Sequence, residues 1–289
     1  MTSQRYLSGG LLIWLWLVTT LLPSLPANAA TFATQDVMIP FAQKDGNVLQ
    51  LDTMVLIPEG HRRFPLAVVS HGSPRHAYQR AYMRPTYFAD MGQWLVNLGF
   101  VVAIPMRRGY GKSQGAFAEG FGSCAYPDYA DAGRASAKDI EAVVTYMDHQ
   151  TYVDANRIVL IGHSAGGWGS LALASEGPPG LVAAVLFAPG RGSVWPGEVC
   201  GRNALVTAAG LFGKTTHVPT LWIYSENDHY FSPKLARSIY DAFHATTHGP
   251  ADFIEEPSCS DEGHMLVRRC PDVWHASVAA FLQKTVGRD

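Results

Sequence analysis

The sequence predicts an α/β fold: a mostly parallel central sheet with helices on both faces. Three observations lead there. Short apolar, β-branched runs alternate with stretches of helical period along nearly the whole chain. One such run, residues 158–161, breaks at Gly162 and resumes as a small-residue helix over 165–175. Apolar residues fill 47% of the 289 positions and charged residues only 16%, which suits a sheet covered on both sides.

Taken in order, residues 34–40 and 48–58 read as two early strands separated by the turn signal Lys44-Asp45-Gly46-Asn47. A third strand over 65–70 runs into His71-Gly72-Ser73-Pro74. Residues 88–98 carry a helical stripe of Met91, Trp94, Leu95 and Leu98. An apolar strand over 100–105 follows, and then Arg107 to Ser113. Asp128 is placed to cap a long helix in which Ile140, Val143, Val144 and Met147 keep the 3.6 period. After the 158–175 unit come strands over 183–187 and 220–224 and a helix over 232–243 opened by Ser232-Pro233. A short strand over 252–256 and a closing helix over 271–284 complete the chain. Residues 190–213 fit neither period and read as an excursion over the carboxyl edge of the sheet. With no internal repeat and no low-complexity linker, residues 30–289 read as a single domain.

The amino terminus reads as an address. Arg5 gives a basic start, residues 11–22 an apolar run, and Ala27-Asn28-Ala29 an A-x-A cleavage pattern. Pro23 and Pro26 follow too closely for a membrane span. Residues 1–29 are therefore expected to be a signal peptide. The mature protein would be periplasmic or secreted, with no stable membrane span. A net charge of -2 gives no support for a nucleic-acid partner, which would want clustered positive charge. The basic pairs Arg62-Arg63, Arg107-Arg108 and Arg268-Arg269 read as solvated loop charges. In an oxidising compartment Cys124, Cys200, Cys259 and Cys270 form an even set. Three pairings are possible; the favoured one joins Cys259 to Cys270, closing a loop around His264, and leaves Cys124 with Cys200. None of the spacings is C-x-x-C, so neither a redox pair nor a zinc site is expected.

The chemistry centres on Gly162-His163-Ser164-Ala165-Gly166, a G-x-S-x-G sequence between a strand and a helix. A sharp turn there presents the Ser164 hydroxyl at the carboxyl end of the strand, with a helix amino terminus behind it. A serine is a weak nucleophile until a base takes its proton, and the base needs an acid to orient it. Asp228 lies just beyond the 220–224 strand; Glu226 competes but sits closer to that strand. Of the later histidines, His229 adjoins the acid, His275 falls in the closing helix, and His244 and His248 lack H-E-x-x-H and read as solvent-facing. His264 lies in a loop after the last strand, with Gly263 giving room to approach the serine. The oxyanion donors are assigned to the backbone N–H groups of Ala165 and Ser73. His71 and His163 are expected to brace these turns. Gly111-Lys112-Ser113 resembles the end of a phosphate loop, but the required glycine is replaced by Met106, which rejects nucleotide binding. Pocket walls are expected from 73–87, 117–129 and 191–212, with Tyr78, Phe121, Tyr126 and Trp195 either lining an apolar site or packing the loops. Trp168 is expected in the core.

Ser70-His-Gly-Ser73, Arg108-Gly-Tyr-Gly-Lys-Ser113, the Val153-Asp to Gly167 segment, Asp228 and His264 together resemble the α/β-hydrolase superfamily. The likeness is greatest to its dienelactone hydrolase-like and prolyl oligopeptidase-like branches and spans roughly residues 34–285. The resemblance implies an acyl-serine mechanism with no cofactor and no metal. The nucleophile is serine where dienelactone hydrolases proper use cysteine, and no propeller domain precedes the catalytic part. The expected activity is hydrolysis of small or short-chain carboxylic esters. A peptidase or amidase is the same-mechanism alternative, and a non-catalytic binding protein on the same fold the alternative from another class.

Overall fold

The computed structural model describes residues 31–287 together with Thr2. The proposed signal peptide, Thr2 apart, lies outside the described residues. The main sheet has eight strands. Its first half comprises β1 (Phe32–Ala42), β2 (Val48–Pro58), β3 (Phe64–Ser70), β4 (Val101–Pro105) and β5 (Val153–His163). A two-stranded ribbon of β7 (Ser193–Trp195) and β8 (Glu198–Val199) interrupts the second half, which comprises β6 (Leu181–Phe187), β9 (Thr220–Ser225) and β10 (Ala251–Glu256). The eight strands lie in the order β1-β2-β4-β3-β5-β6-β9-β10. Only the β1/β2 and β2/β4 pairings are antiparallel; the other five are parallel.

Alternation along the central strands builds two cores. In β5, Ile158 and Leu160 point to one face and Val159 and Ile161 to the other. The second face is covered by α1 (Ala89–Asn97) and α7 (Pro271–Val286). The first is covered by α2 (Tyr129–Asp148), α3 (Ala165–Glu176), α4 (Arg202–Gly213) and α5 (Pro233–His244). A single turn, α6 (Leu266–Arg269), leads into α7. Asp128 caps α2 as expected, its carboxylate accepting from the Asp131 N–H. Trp168 is fully buried and donates from its indole to the Tyr129 carbonyl.

The 190–213 segment departs from the sequence reading. Its second half is not an irregular excursion but helix α4, whose Leu205, Ala208, Ala209 and Phe212 are buried in the core. Both disulfides form as expected, Cys124–Cys200 and Cys259–Cys270. The first ties the loop before α2 to the start of α4. Among the described residues, no helix is long and apolar enough to cross a membrane.

The strand order places a switch point between β3 and β5: β3 leads outward to β4, and β5 leads the other way to β6. Loops leaving the carboxyl ends of two such strands diverge to opposite faces and open a crevice. The loop after β3 begins at His71, and the turn after β5 is Ser164.

Candidate active site

Ser164 sits at φ 53° and ψ -120°, a conformation that L-residues rarely adopt. Its neighbours make that turn possible. A Cβ on Gly166 would lie 2.2 Å from the Ser70 carbonyl oxygen, and one on Gly162 would lie 2.5 Å from the Gly166 carbonyl oxygen. Backbone fills both spaces, so only glycine fits there. The Ser164 N–H donates to the Phe187 carbonyl and its carbonyl accepts from the Trp168 N–H, fixing the turn between β5 and α3.

His264 and Asp228 come together from loops at the far side of the sheet. The His264 Nδ1 lies 3.0 Å from Asp228 Oδ2, and both side chains are buried. The other carboxylate oxygen of Asp228 accepts from the Tyr230 and Phe231 N–H groups at 2.7 and 2.8 Å. That loop therefore holds the carboxylate by contacts that do not involve the histidine. Ser232, which precedes Pro233 at the start of α5, makes no side-chain cap bond. The competitor Glu226 is exposed. His264 stands in a short 3₁₀ turn, Gly263–Met265, capped by Glu262. The space at Gly263 serves a different neighbour from the one expected: a Cβ there would meet Asn227 and Ser225, not the serine. The Tyr230 ring lies flat on the His264 imidazole, centroids 4.0 Å apart and planes 8° apart. The Arg75 guanidinium covers the Tyr230 ring at 3.6 Å. Sequence spacing carries no signal for this three-layer stack.

His163 and His71 act as braces. The His163 Nε2 donates to the His264 carbonyl at 2.8 Å. Burial, then the neighbouring His264 ring, draws the His163 pKa down to about 3, so it stays neutral. His71 Nδ1 donates to the Gly72 carbonyl, and its Nε2 accepts from the Arg107 N–H. Burial, then Arg107, holds the His71 pKa well below the usual imidazole value.

The Arg107-Arg108 pair corrects the sequence reading. Arg107 is fully buried, not solvated. It makes a two-pronged ion pair with Glu119 at 2.7 and 3.0 Å and donates to the Ser70 hydroxyl and the His71 carbonyl. Arg191 meets the same Glu119 at 2.8 Å. Tyr110 bonds both Glu119 and the Ser73 hydroxyl, so this cluster is joined directly to the loop after β3. Burial would raise the Glu119 pKa, but Arg107 and Arg191 outweigh it and hold the carboxyl well below its usual range. A lone acid among the glycine, alanine and phenylalanine residues of 115–122 is the one sequence sign of this cluster. Arg108 is also paired, with Asp139 at 2.6 Å.

Two cavities meet at Ser164. One, about 660 Å³, is lined by Ser164, His264, Tyr78, Tyr82, Met265 and Phe88, among others. The other, about 400 Å³, is lined by Ser164, Ala165, Phe121 and three arginines. Ser73 borders both. Tyr126 and Trp195 are exposed and line neither. A larger cavity of about 850 Å³, between Phe41 and Lys138, contains neither the serine nor the histidine. His244 and His248 are exposed as expected. No group of three or more potential metal ligands occurs among the described residues.

Residues 86–189, from the turn before α1 through β6, match the prolyl oligopeptidase family. That stretch contains the Ser164 turn but stops short of Asp228 and His264. The Pyrococcus furiosus esterase Pf2001 superposes with a TM-score of 0.62 at 16% identity, over 89% of this chain and 92% of that one. The chain has the α/β-hydrolase fold. A putative dienelactone hydrolase from Klebsiella pneumoniae aligns with this chain at TM-score 0.59 and 16% identity, covering 88% of this chain and 99% of that one. The acetyl xylan esterase from Paenibacillus sp. R4 gives 0.60 at 16%, over 90% of each chain. No curated protein matches the sequence.

Proposed function

We propose that this α/β-hydrolase cleaves carboxylic esters through an acyl-serine intermediate. Ser164 attacks the carbonyl, His264 takes its proton and returns it to the leaving alcohol, and Asp228 holds the imidazole tautomer. The N–H groups of Ala165, at the amino end of α3, and of Ser73 hold the oxyanion. The observation that carries the reading is the buried 3.0 Å contact of His264 Nδ1 with Asp228, in a ring that borders the same cavity as the serine. The esterases among the similar folds support an ester as substrate. The test is turnover of p-nitrophenyl acetate and butyrate by purified protein; no turnover, together with resistance to fluorophosphonates, defeats the reading.

A peptidase or amidase is the second reading, favoured by the match of residues 86–189 to the prolyl oligopeptidase family. Comparing short-chain esters with aminoacyl anilides separates the two. The protein acts outside the cytoplasm after loss of residues 1–29, with 30–289 as one catalytic domain. Two disulfides, which persist in oxidising compartments, support that location.

A further inference from the structure

The smaller cavity at Ser164 is lined by Arg75, Arg80 and Arg191, and no acidic side chain lines it. All three arginines have a buried Nε–H with no hydrogen-bond partner among the described residues. A buried, unpaired donor on a cation is costly unless something binds it. Arg191 is nine-tenths buried and shares Glu119 with Arg107, leaving that cluster one positive charge in excess. Arg75 donates to Ser193 at 3.2 Å and lies over Tyr230; Arg80 lies over Phe117 at 3.4 Å. Neither makes an ion pair among the described residues. Aromatic faces hold both guanidiniums in place without neutralising them.

The two cavities divide the substrate. The leaving alcohol must take its proton from His264, so it lies in the cavity that His264 borders. The acyl chain then extends from the carbonyl, past Ala165, into the smaller cavity, where Arg80 and Arg191 are joined by Arg75, which borders both cavities. We infer that the acyl portion of the substrate carries a carboxylate, bound by Arg75, Arg80 and Arg191, so that the preferred ester is a half-ester of a dicarboxylic acid. The inference rests on the ester-hydrolase reading for its orientation, and its test is built to fail separately.

Hydrolysis of monoethyl glutarate, anionic at neutral pH, is compared with that of diethyl glutarate by titrating the acid released. The wild-type kcat/KM favours the monoester by about tenfold or more, the effect of one or more charge-assisted hydrogen bonds. That ratio falls toward one in Arg75→Gln and Arg80→Gln and is partly kept in Arg75→Lys. Calorimetric binding of the two esters to Ser164→Ala reads the same preference without turnover. A wild-type ratio at or below one, with diethyl glutarate still hydrolysed, overturns the carboxylate subsite and leaves the esterase reading standing. If neither ester is hydrolysed, tighter binding of the monoester to Ser164→Ala upholds the subsite, and equal or absent binding overturns it.

Discussion

Glu119→Gln tests whether the buried ion cluster holds the loop after β3. The glutamate is buried among two guanidiniums, with Arg107 at 2.7 Å and Arg191 at 2.8 Å, and accepts from the Ser136 and Tyr110 hydroxyls. Removing its charge keeps the shape but leaves two buried cations without a counter-ion. Breaking a buried pair from one side costs about 3–5 kcal/mol, and two cations place this case toward the upper end. Against a total of roughly 5–15 kcal/mol for a folded protein, that is a large fraction. Asp139→Asn is the internal comparison. Only one cation, the partly exposed Arg108, loses its counter-ion there, so the cost is expected to be smaller than for Glu119→Gln. Urea unfolding of both variants at pH 7 supplies the numbers, with a melting temperature lower by roughly 10 °C expected for Glu119→Gln. The sign of the pH dependence follows. The Glu119 pKa is lowered in the folded state, so its stabilisation is present above the usual carboxylate range and is lost as pH falls through the lower folded value. A cost for Glu119→Gln below about 1 kcal/mol, or one no greater than that of Asp139→Asn, refutes the reasoning.

Other outcomes follow from the same contacts. His163 has a pKa of about 3 when folded, against about 6.5 for an unfolded histidine, so the unfolded chain takes up a proton first as pH falls. Stability should drop below pH ~6.5 by up to about 1.4 kcal/mol per unit for this group, with His71 adding in the same direction; His163→Asn should lessen the slope in unfolding curves from about pH 6.5 to 4.5. Asp228→Asn, which frees the His264 tautomer, should lower kcat/KM by roughly 10³–10⁴ without altering the circular dichroism spectrum. The disulfides differ in the loops they close, 76 residues for Cys124–Cys200 and 11 for Cys259–Cys270. Chain entropy assigns them about 4.5 and 3 kcal/mol, so paired serine replacements should be costlier at the first in urea unfolding; activity should fall more at the second, which flanks His264.

Much of this architecture is readable in the sequence because it is local. The β5–Ser164–α3 unit announces itself by an apolar run, two glycines and a small-residue helix within 24 positions counted from Val153 to Glu176. Strands such as β3 and β6 are buried on both faces and so read as continuous apolar runs. Asp228 and His264 are recognisable from their place after strands, which topology carries to one edge of the sheet. Helix α4 escapes a sequence reading because Gly201 opens it without a side-chain cap and Gly210 and Gly213 dilute its stripe. Arg107 looks solvated in sequence because its partner lies twelve positions further along the same irregular β4–α2 connection, and nothing local distinguishes a paired arginine from a free one. Stacking of Tyr230 on His264, and of Arg75 on Tyr230, exists only once three loops have met.

Labelling with a fluorophosphonate, read by peptide mass spectrometry, measures the central claim most directly. One adduct is predicted, on Ser164, absent in Ser164→Ala and formed far more slowly in His264→Ala. An unlabelled serine in folded protein, or labelling at the same rate without the His264 ring, would contradict it.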